Sequence, residues 1–157
     1  MRMMAEYRIV PIDAADTHDL RLRVLRAGTP SSDVEWAGDN LDTTVHLGVF
    51  DDSNAIVAIS TWLTMPSPDV TEVGAAGVQL RGMATDPSPA IRGVGVGALL
   101  LRAGIDIAHQ RDADHVWANA RTAVLGFYTR VGFEVVGNEF MSEATDLAHH
   151  RILLHLH

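Results

Sequence analysis

The chain has 157 residues, of which 47% are hydrophobic and 20% charged, a composition typical of one globular domain with a sizeable core. Its formal net charge of −8 argues against a nucleic-acid-binding protein, which would need a basic surface. Cysteine is absent, which excludes disulfides and thiol catalysis and gives no sign of an oxidising compartment.

The sequence contains no run of about 18 or more apolar residues, so we expect no membrane span. The opening residues MRMMAEYRIV lack the apolar core of a secretory signal. We therefore expect a single cytoplasmic domain over residues 1–157, with neither a membrane nor a nucleic acid as partner.

The first elements in chain order are a strand over residues 7–12 and a helix from Asp16 or Thr17 to about Ala27. The helix is expected to separate its apolar residues from its arginines: Leu20, Val24 and Ala27 on one face, and Arg21, Arg23 and Arg26 on the others. Gly28 and Pro30 end it.

A polar segment over residues 31–40 follows, and Trp36 is its only large apolar residue. Trp36 either packs on the surface or forms part of a substrate wall. Residues 43–50 and 55–63 then predict a β-hairpin, and residues 64–77 a long loop rich in proline and glycine.

The stretch from Val78 to Leu101 organises the rest of the chain. It begins as a strand, in which successive side chains point to opposite faces. One face is expected to carry Val78, Leu80, Gly82 and Ala84, and the other Gln79, Arg81, Met83 and Thr85. Asp86-Pro87 ends the strand, and Arg92 with three alternate glycines then leads into an apolar helix. A glycine-rich turn before a helix presents backbone N–H groups at the positive end of the helix dipole, so this turn predicts a phosphate site.

The same glycines leave a second interpretation open. Gly93 to Ala98 also satisfies G-x-G-x-x-A, the dinucleotide fingerprint, with Asp112 and Asp114 near the distance expected for the ribose-binding acid. That fingerprint should follow directly on a buried strand, whereas Pro87 and Pro89 intervene here. The dinucleotide interpretation is weakened and remains an alternative, as does a purely structural glycine turn.

The second half of the chain alternates helices and strands. The expected ranges are a helix over 95–111, a strand over 114–119, a helix over 121–131, a strand over 133–140, a loop over 141–148 and a last strand over 149–156. The whole order predicts an α/β fold: a twisted mixed sheet of about seven strands with helices on both faces. The exposed edge of the last strand could pair two subunits into a homodimer.

Two segments resemble one known family. Arg92-x-x-Gly95-x-Gly97, after a strand that ends in Met83-Ala84-Thr85-Asp86-Pro87, resembles the coenzyme-A loop of the GNAT superfamily of N-acetyltransferases. Residues 126–133, GFYTRVGF, resemble the later helix–turn–strand segment of that family. Both segments occur in the family's order, and the close likeness covers about residues 78 to 140.

The resemblance implies acetyl-CoA as cosubstrate, held at the strand end and the glycine turn. It assigns the cofactor contacts to Met83, Ala84, Thr85, Arg92, Gly93, Val94, Gly95, Val96, Gly97 and Asn119. The backbone of Met83 and Thr85 would bind the pantetheine arm as an added strand. Tyr128 matches the tyrosine that protonates the leaving thiolate in many members, although its helical spacing also suits a core residue.

The general base is not identified by the sequence. Glu35, Glu72, His46 and His149 are candidates, and a water chain could replace them all. Arg121 stands where many members carry an asparagine, and Asn119 could take over part of that contact. We therefore expect transfer to a small-molecule or peptide amine without a metal, or alternatively an acyl-CoA-binding module without catalysis.

Overall fold

The computed structural model describes residues 7–88, 90–91 and 93–156, and its centre is one seven-stranded sheet. The strands in chain order are β1 Arg8–Ile12, β2 Val45–Phe50, β3 Ile56–Thr64, β4 Gly77–Thr85, β5 His115–Arg121, β6 Glu134–Ser142 and β7 Leu147–His155. Their order in the sheet is β1-β2-β3-β4-β5-β7-β6. Only the β4–β5 pairing is parallel; the other five are antiparallel.

Helical segments cover both faces of the sheet, as the sequence predicts. The segments are a 3₁₀ turn at Ala14–Thr17, α1 at His18–Leu20, a π-helical turn at Arg21–Leu25, α2 at Val96–Gln110, a 3₁₀ turn at Thr122–Val124 and α3 at Leu125–Thr129. The main core lies between the sheet and α2, while a smaller apolar cluster lies under the first helical segment on the other face. The predicted α/β fold class is confirmed.

α2 approaches the sheet closely because Gly104 lies directly over Trp62 of β3. Trp62 is fully buried, and its indole N–H donates to Ser60 Oγ at 2.8 Å. A Cβ on Gly104 would lie only 1.7 Å from the Trp62 ring. A side chain at position 104 is therefore incompatible with the observed distance between helix and sheet.

We expect Gly104→Ala to lower the free energy of unfolding by about 3 kcal/mol, because overpacking outweighs the roughly 1 kcal/mol gain in helix propensity. Urea denaturation measures the change. Gly97→Ala is the matched control, since its Cβ would meet the Phe127 ring at an ordinary 3.5 Å. Equal stability of Gly104→Ala and the unmodified protein would show that Trp62 moves freely, contrary to this packing.

The end of the chain differs from the prediction. β7 lies between β5 and β6, so both of its edges are paired and the proposed dimer contact through its edge is wrong. The expected loop over residues 141–148 is also wrong in extent, because β6 and β7 form a hairpin whose turn occupies only residues 143–146. The edge of the sheet at this end is β6.

Arg21 was expected on an outer face of its helix and is instead fully buried. Its guanidinium binds both carboxylate oxygens of Asp39, at 2.6 and 3.1 Å, and donates to Thr61 Oγ1 and the Val34 carbonyl at 2.8 Å. Burial raises the pKa of Asp39, but the hydrogen bonds from Arg21 and from the Trp36 amide outweigh burial and hold the pKa below its usual value. The ion pair fixes the segment that follows the first helix against the sheet.

Candidate active site

A cleft opens where β4 and β5 diverge. The two strands pair only where Gly77–Gln79 meets His115–Trp117, and beyond these residues no pairing joins their described parts. β4 continues to Thr85 beside β3, and β5 to Arg121 beside β7. The sheet is therefore split at its middle, and the split holds a cleft of about 660 Å³.

A β-bulge at Gly82 accompanies the divergence of β4. Gly82 has φ +64°, and the β3–β4 register shifts at this point. A bulge bends its strand and interrupts the alternation of side chains. Val78, Leu80 and Met83 accordingly face the core under α2, whereas Ala84 joins the cluster on the opposite face. The predicted common face of residues 78, 80, 82 and 84 is therefore wrong beyond Leu80.

The end of β4 presents a free backbone edge to the cleft. The Asp86 N–H donates to the Val57 carbonyl of β3 at 2.8 Å. Because paired and unpaired residues alternate along an antiparallel strand, the backbone groups of Thr85 point away from β3, toward the cleft. Met83 and Ala84, two further residues assigned to the cofactor, also line the cleft.

Asn119, on the β5 side, lines the cleft as well. Its side-chain Oδ1 accepts a hydrogen bond from Arg151 Nε at 3.3 Å, and Arg151 is paired with Asp69 at 3.3 Å. Asn119 is exposed, and its amide nitrogen makes none of the hydrogen bonds found between described residues. The amide group can therefore donate to a ligand in the cleft.

The glycine turn lies directly before α2, as predicted. Gly93 and Gly95 have φ of +76° and +93°, values that other residues rarely adopt, and apart from chain neighbours no atom of the described residues lies within 4 Å of where their Cβ atoms would be. Gly95 is the N-cap of α2 and provides no side-chain cap, so the first N–H groups of the 15-residue helix lack helical partners. This open, donor-rich turn fits a phosphate group. Arg92 lies outside the described residues.

Gly97 connects the turn to the cleft. A Cβ at this position would lie 3.6 Å from Thr85 Oγ1 and 3.5 Å from the ring of Phe127, which precedes Tyr128. The end of β4, the start of α2 and α3 therefore converge at one point. The side chain of Val96 is buried in the core, so within the turn Val96 can offer a ligand only its backbone.

Tyr128 lines the cleft from α3 and is 8% exposed. Its ring lies edge-on to Phe127 and Phe133, with centroid distances of 5.0 and 5.7 Å. Burial raises the pKa of Tyr128 to about 12, so the phenol remains protonated at neutral pH. Its hydroxyl takes part in no hydrogen bond between residues that the structure describes, and it can therefore donate to a ligand.

His149 lines the cleft from β7. Its Nδ1 lies 2.9 Å from the Leu147 carbonyl oxygen, which can only accept, so in the neutral imidazole Nδ1 carries the proton and Nε2 the lone pair. The ring also stacks on Phe140, with centroids 5.8 Å apart. These contacts hold the imidazole in one orientation and one tautomer. Nε2 makes no hydrogen bond within the described part of the chain, so it is able to accept a proton.

The other three candidate bases lie elsewhere. His46 is buried, with Nδ1 2.8 Å from Thr61 Oγ1 and Nε2 2.9 Å from the Asp39 carbonyl oxygen, so both ring nitrogens are occupied. Glu35 and Glu72 are exposed and do not line the cleft. His149 is therefore the one sequence candidate for the base that the fold brings to the cleft beside Tyr128.

Three arginines line the cleft, and none of them was predicted from the sequence to bind a ligand. Arg81 and Arg121 belong to β4 and β5, and Arg26 is the C-cap of the π-helical turn Arg21–Leu25. Trp36 also lines the cleft, with the Arg26 and Arg81 guanidinium carbons 5.0 and 5.7 Å from its ring centroid. Arginines in three separate parts of the chain form no local motif. The sequence showed only that Arg121 stands where many members of the family carry an asparagine.

No group of three or more metal-binding side chains is found in the part of the chain that the structure describes. None of its described helices is long and apolar enough to cross a bilayer.

Comparisons with known proteins agree with this geometry. Residues 73–154, more than half of the chain, match the family described as "Acetyltransferase (GNAT) domain". The uncharacterised N-acetyltransferase YitI of Bacillus subtilis is 29% identical over 137 residues, which cover 87% of each chain.

Solved structures share the fold. An acyl-CoA N-acyltransferase from Pseudomonas aeruginosa has a TM-score of 0.71 at 22% identity, covering 94% of this chain and 98% of its own. A GCN5-related N-acetyltransferase from Kribbella flavida also has a TM-score of 0.71, at 18% identity, covering 98% of this chain and 100% of its own. The family match, the curated relative and the split sheet together establish that the chain belongs to the GNAT family of N-acetyltransferases.

Proposed function

We propose that this N-acetyltransferase moves an acetyl group from acetyl-CoA to an amine by direct attack of the amine on the thioester, in the cleft between β4 and β5. The observation that carries the proposal is the convergence of Tyr128 and His149 on the cleft that opens beside the free edge of Thr85. The absence of cysteine, which excludes a thioester acyl-enzyme, supports direct attack.

Two surfaces would hold the donor. The amides of the glycine turn, at the positive end of the α2 dipole, would bind the pyrophosphate. The backbone of β4 near Thr85 would pair with the pantetheine arm as an added strand. Because a Cβ on Gly97 would lie only 3.6 Å from Thr85 Oγ1, the two surfaces are adjacent, and a ligand on the turn can continue into the cleft.

Two side chains would move the protons. The amine nitrogen bonds to the carbonyl carbon while His149 Nε2 accepts the proton that the nitrogen loses. The carbon–sulfur bond then breaks, and the Tyr128 hydroxyl donates its proton to the leaving sulfur. The proton on His149 returns to the phenol through solvent. Each transfer contributes about 10²–10⁴-fold to the rate by general acid–base catalysis.

We expect His149→Gln to lower kcat by about 10²-fold or more and to remove the rise of kcat/KM with pH that a general base produces. Thiol release from acetyl-CoA measures both effects. His150→Gln is the matched control, because the neighbouring His150 binds Thr122 Oγ1 at 3.0 Å and does not line the cleft. An unchanged pH profile in His149→Gln would contradict the assignment and favour a water chain.

The activity itself can be tested with pooled primary amines. The protein is incubated with acetyl-CoA and the pool, and mass spectrometry identifies acetylated products while a thiol reagent measures free coenzyme A. Acetylated amine in equal amount to the released thiol supports the proposal. Saturable acetyl-CoA binding with no product from any amine would instead favour the non-catalytic acyl-CoA-binding module.

A further inference from the structure

We infer that the acceptor carries a carboxylate beside its amine, and that Arg121 binds this carboxylate; the inference rests on the proposed transfer to an amine. The cleft lining contains Arg26, Arg81 and Arg121, and no aspartate or glutamate among its described residues. This concentration of cations stands in a chain whose formal net charge is −8. The charge of the cleft is therefore opposite to that of the protein as a whole.

Among the described residues, no acidic side chain acts on Arg121, unlike the other two arginines of the cleft. Arg81 lies 3.3 Å from Asp39. Arg26 forms no ion pair with a described residue, but the negative charge of Asp33 partly offsets the burial that lowers the pKa of Arg26. Arg121 forms none of the ion pairs between described residues, and its Nη2 donates only to the Leu25 carbonyl. Its guanidinium therefore keeps donors for a ligand.

The surroundings of Arg121 favour an added anion. Burial, and then the like charge of Arg26, lower the pKa of Arg121, so both effects act against its charged form. Arg26 follows Leu25 in the chain, and the hydrogen bond to Leu25 therefore places the two cations side by side. A carboxylate would offset this repulsion and accept two parallel N–H bonds from the planar guanidinium.

The position of Arg121 places this carboxylate near the proposed base. Arg121 of β5 pairs directly with His149 of β7 in the antiparallel ladder. Residues paired in this way have Cβ atoms roughly 4.5–5.5 Å apart on one face of the sheet. An acceptor whose carboxylate binds Arg121 can therefore present its amine to His149 only if its own amine and carboxylate are close together, as they are in an amino acid.

The same charges exclude other acceptors. A polyamine or an amino sugar with several ammonium groups would place further cations beside three arginines with no carboxylate in the lining to receive them. The positive field also favours the neutral amine over its ammonium form, and the neutral amine is the nucleophile. The cleft is thus suited to an amine whose second group is an anion.

The test compares kcat/KM for an amino acid and for its carboxamide, in which an uncharged amide replaces the carboxylate. Both values are calculated on the concentration of neutral amine, because the amide also lowers the pKa of that amine. We expect the unmodified protein to prefer the acid by about 100-fold. Arg121→Gln should reduce that preference at least tenfold by slowing the acid alone, and should leave acetyl-CoA affinity, measured by calorimetry, unchanged. Arg102→Gln is the matched control, because Arg102 is exposed on α2 and away from the cleft lining.

Each remaining outcome is decisive. Equal rates for acid and amide, or faster transfer to the amide, overturn the inference while leaving acetyl transfer itself established. If Arg121→Gln loses affinity for acetyl-CoA but keeps the preference for the acid over the amide, Arg121 binds the donor and the inference is again overturned. No transfer to any acceptor overturns the proposed function, and the inference with it. If Arg121→Gln does not fold, the amino acid and its carboxamide are compared with the unmodified protein and with Arg121→Lys, which keeps the charge. These two comparisons still test the inference.

Discussion

Gly95→Val is expected to weaken acetyl-CoA binding about 100-fold, equivalent to about 2.7 kcal/mol. Gly95 has φ +93°, a conformation that a β-branched residue avoids, so valine would rearrange the turn at the N-terminus of α2. The same side chain would occupy the open space in front of the turn, where the described residues, chain neighbours aside, place no atom within 4 Å of the Cβ position. Calorimetric titration with acetyl-CoA measures the affinity.

Gly74→Val separates backbone strain from loss of the phosphate site. Gly74 has φ +81°, also with no atom within 4 Å of its Cβ position, and it lies in the loop before β4 rather than near the turn. Gly74→Val should strain the backbone to a similar extent and leave the affinity for acetyl-CoA unchanged. If Gly95→Val binds acetyl-CoA as tightly as the unmodified protein, the glycine turn is not the phosphate site.

Tyr128→Phe should lower kcat by about 10²–10³-fold and leave the affinity for acetyl-CoA nearly unchanged. The variant keeps the aromatic ring and its edge-on contacts with Phe127 and Phe133, and loses only the hydroxyl that donates a proton. Because the pKa of Tyr128 is about 12, its ionisation should not limit the rate of the unmodified protein near neutral pH. Single-turnover kinetics with a good acceptor measures the chemical step.

The control is Tyr7→Phe, which removes the only other phenol of the sequence, directly before β1. It should not change the chemical step, because Tyr7 does not line the cleft. A full rate in Tyr128→Phe would return Tyr128 to the role of a core aromatic residue. It would also leave protonation of the thiolate to solvent.

Local patterns were sufficient for most of the fold. The strand and helix order, the number of strands and the position of the glycine turn all followed from periodicity and from Gly95, and the structure agrees with them. These features depend on residues close in sequence, where alternation, helical spacing and positive φ leave a direct signal. The bulge at Gly82 gave a weaker signal in the sequence, because a lone glycine in a strand is compatible with several different irregularities.

Features that depend on distant partners could not be predicted in the same way. The burial of Arg21 requires Asp39 and Thr61, which lie 18 and 40 residues away. The insertion of β7 between β5 and β6 likewise depends on pairing between strands that are distant in sequence.

The same reason applies to the base and to the cleft charge. His149 was one of four candidates until the fold brought it to the cleft, opposite Arg121. The arginines of the cleft come from three separate elements, so their common position appears only in the folded chain. The sequence therefore predicted the donor side of the site better than the acceptor side.

Calorimetric titration of the unmodified protein with acetyl-CoA, and separately with NADH, shows which cofactor the glycine turn binds. A coenzyme-A site in the turn before α2 predicts saturable binding of acetyl-CoA with one site per chain and no binding of NADH. Binding of NADH without acetyl-CoA would contradict it, and would mean that the glycines form a dinucleotide site after all.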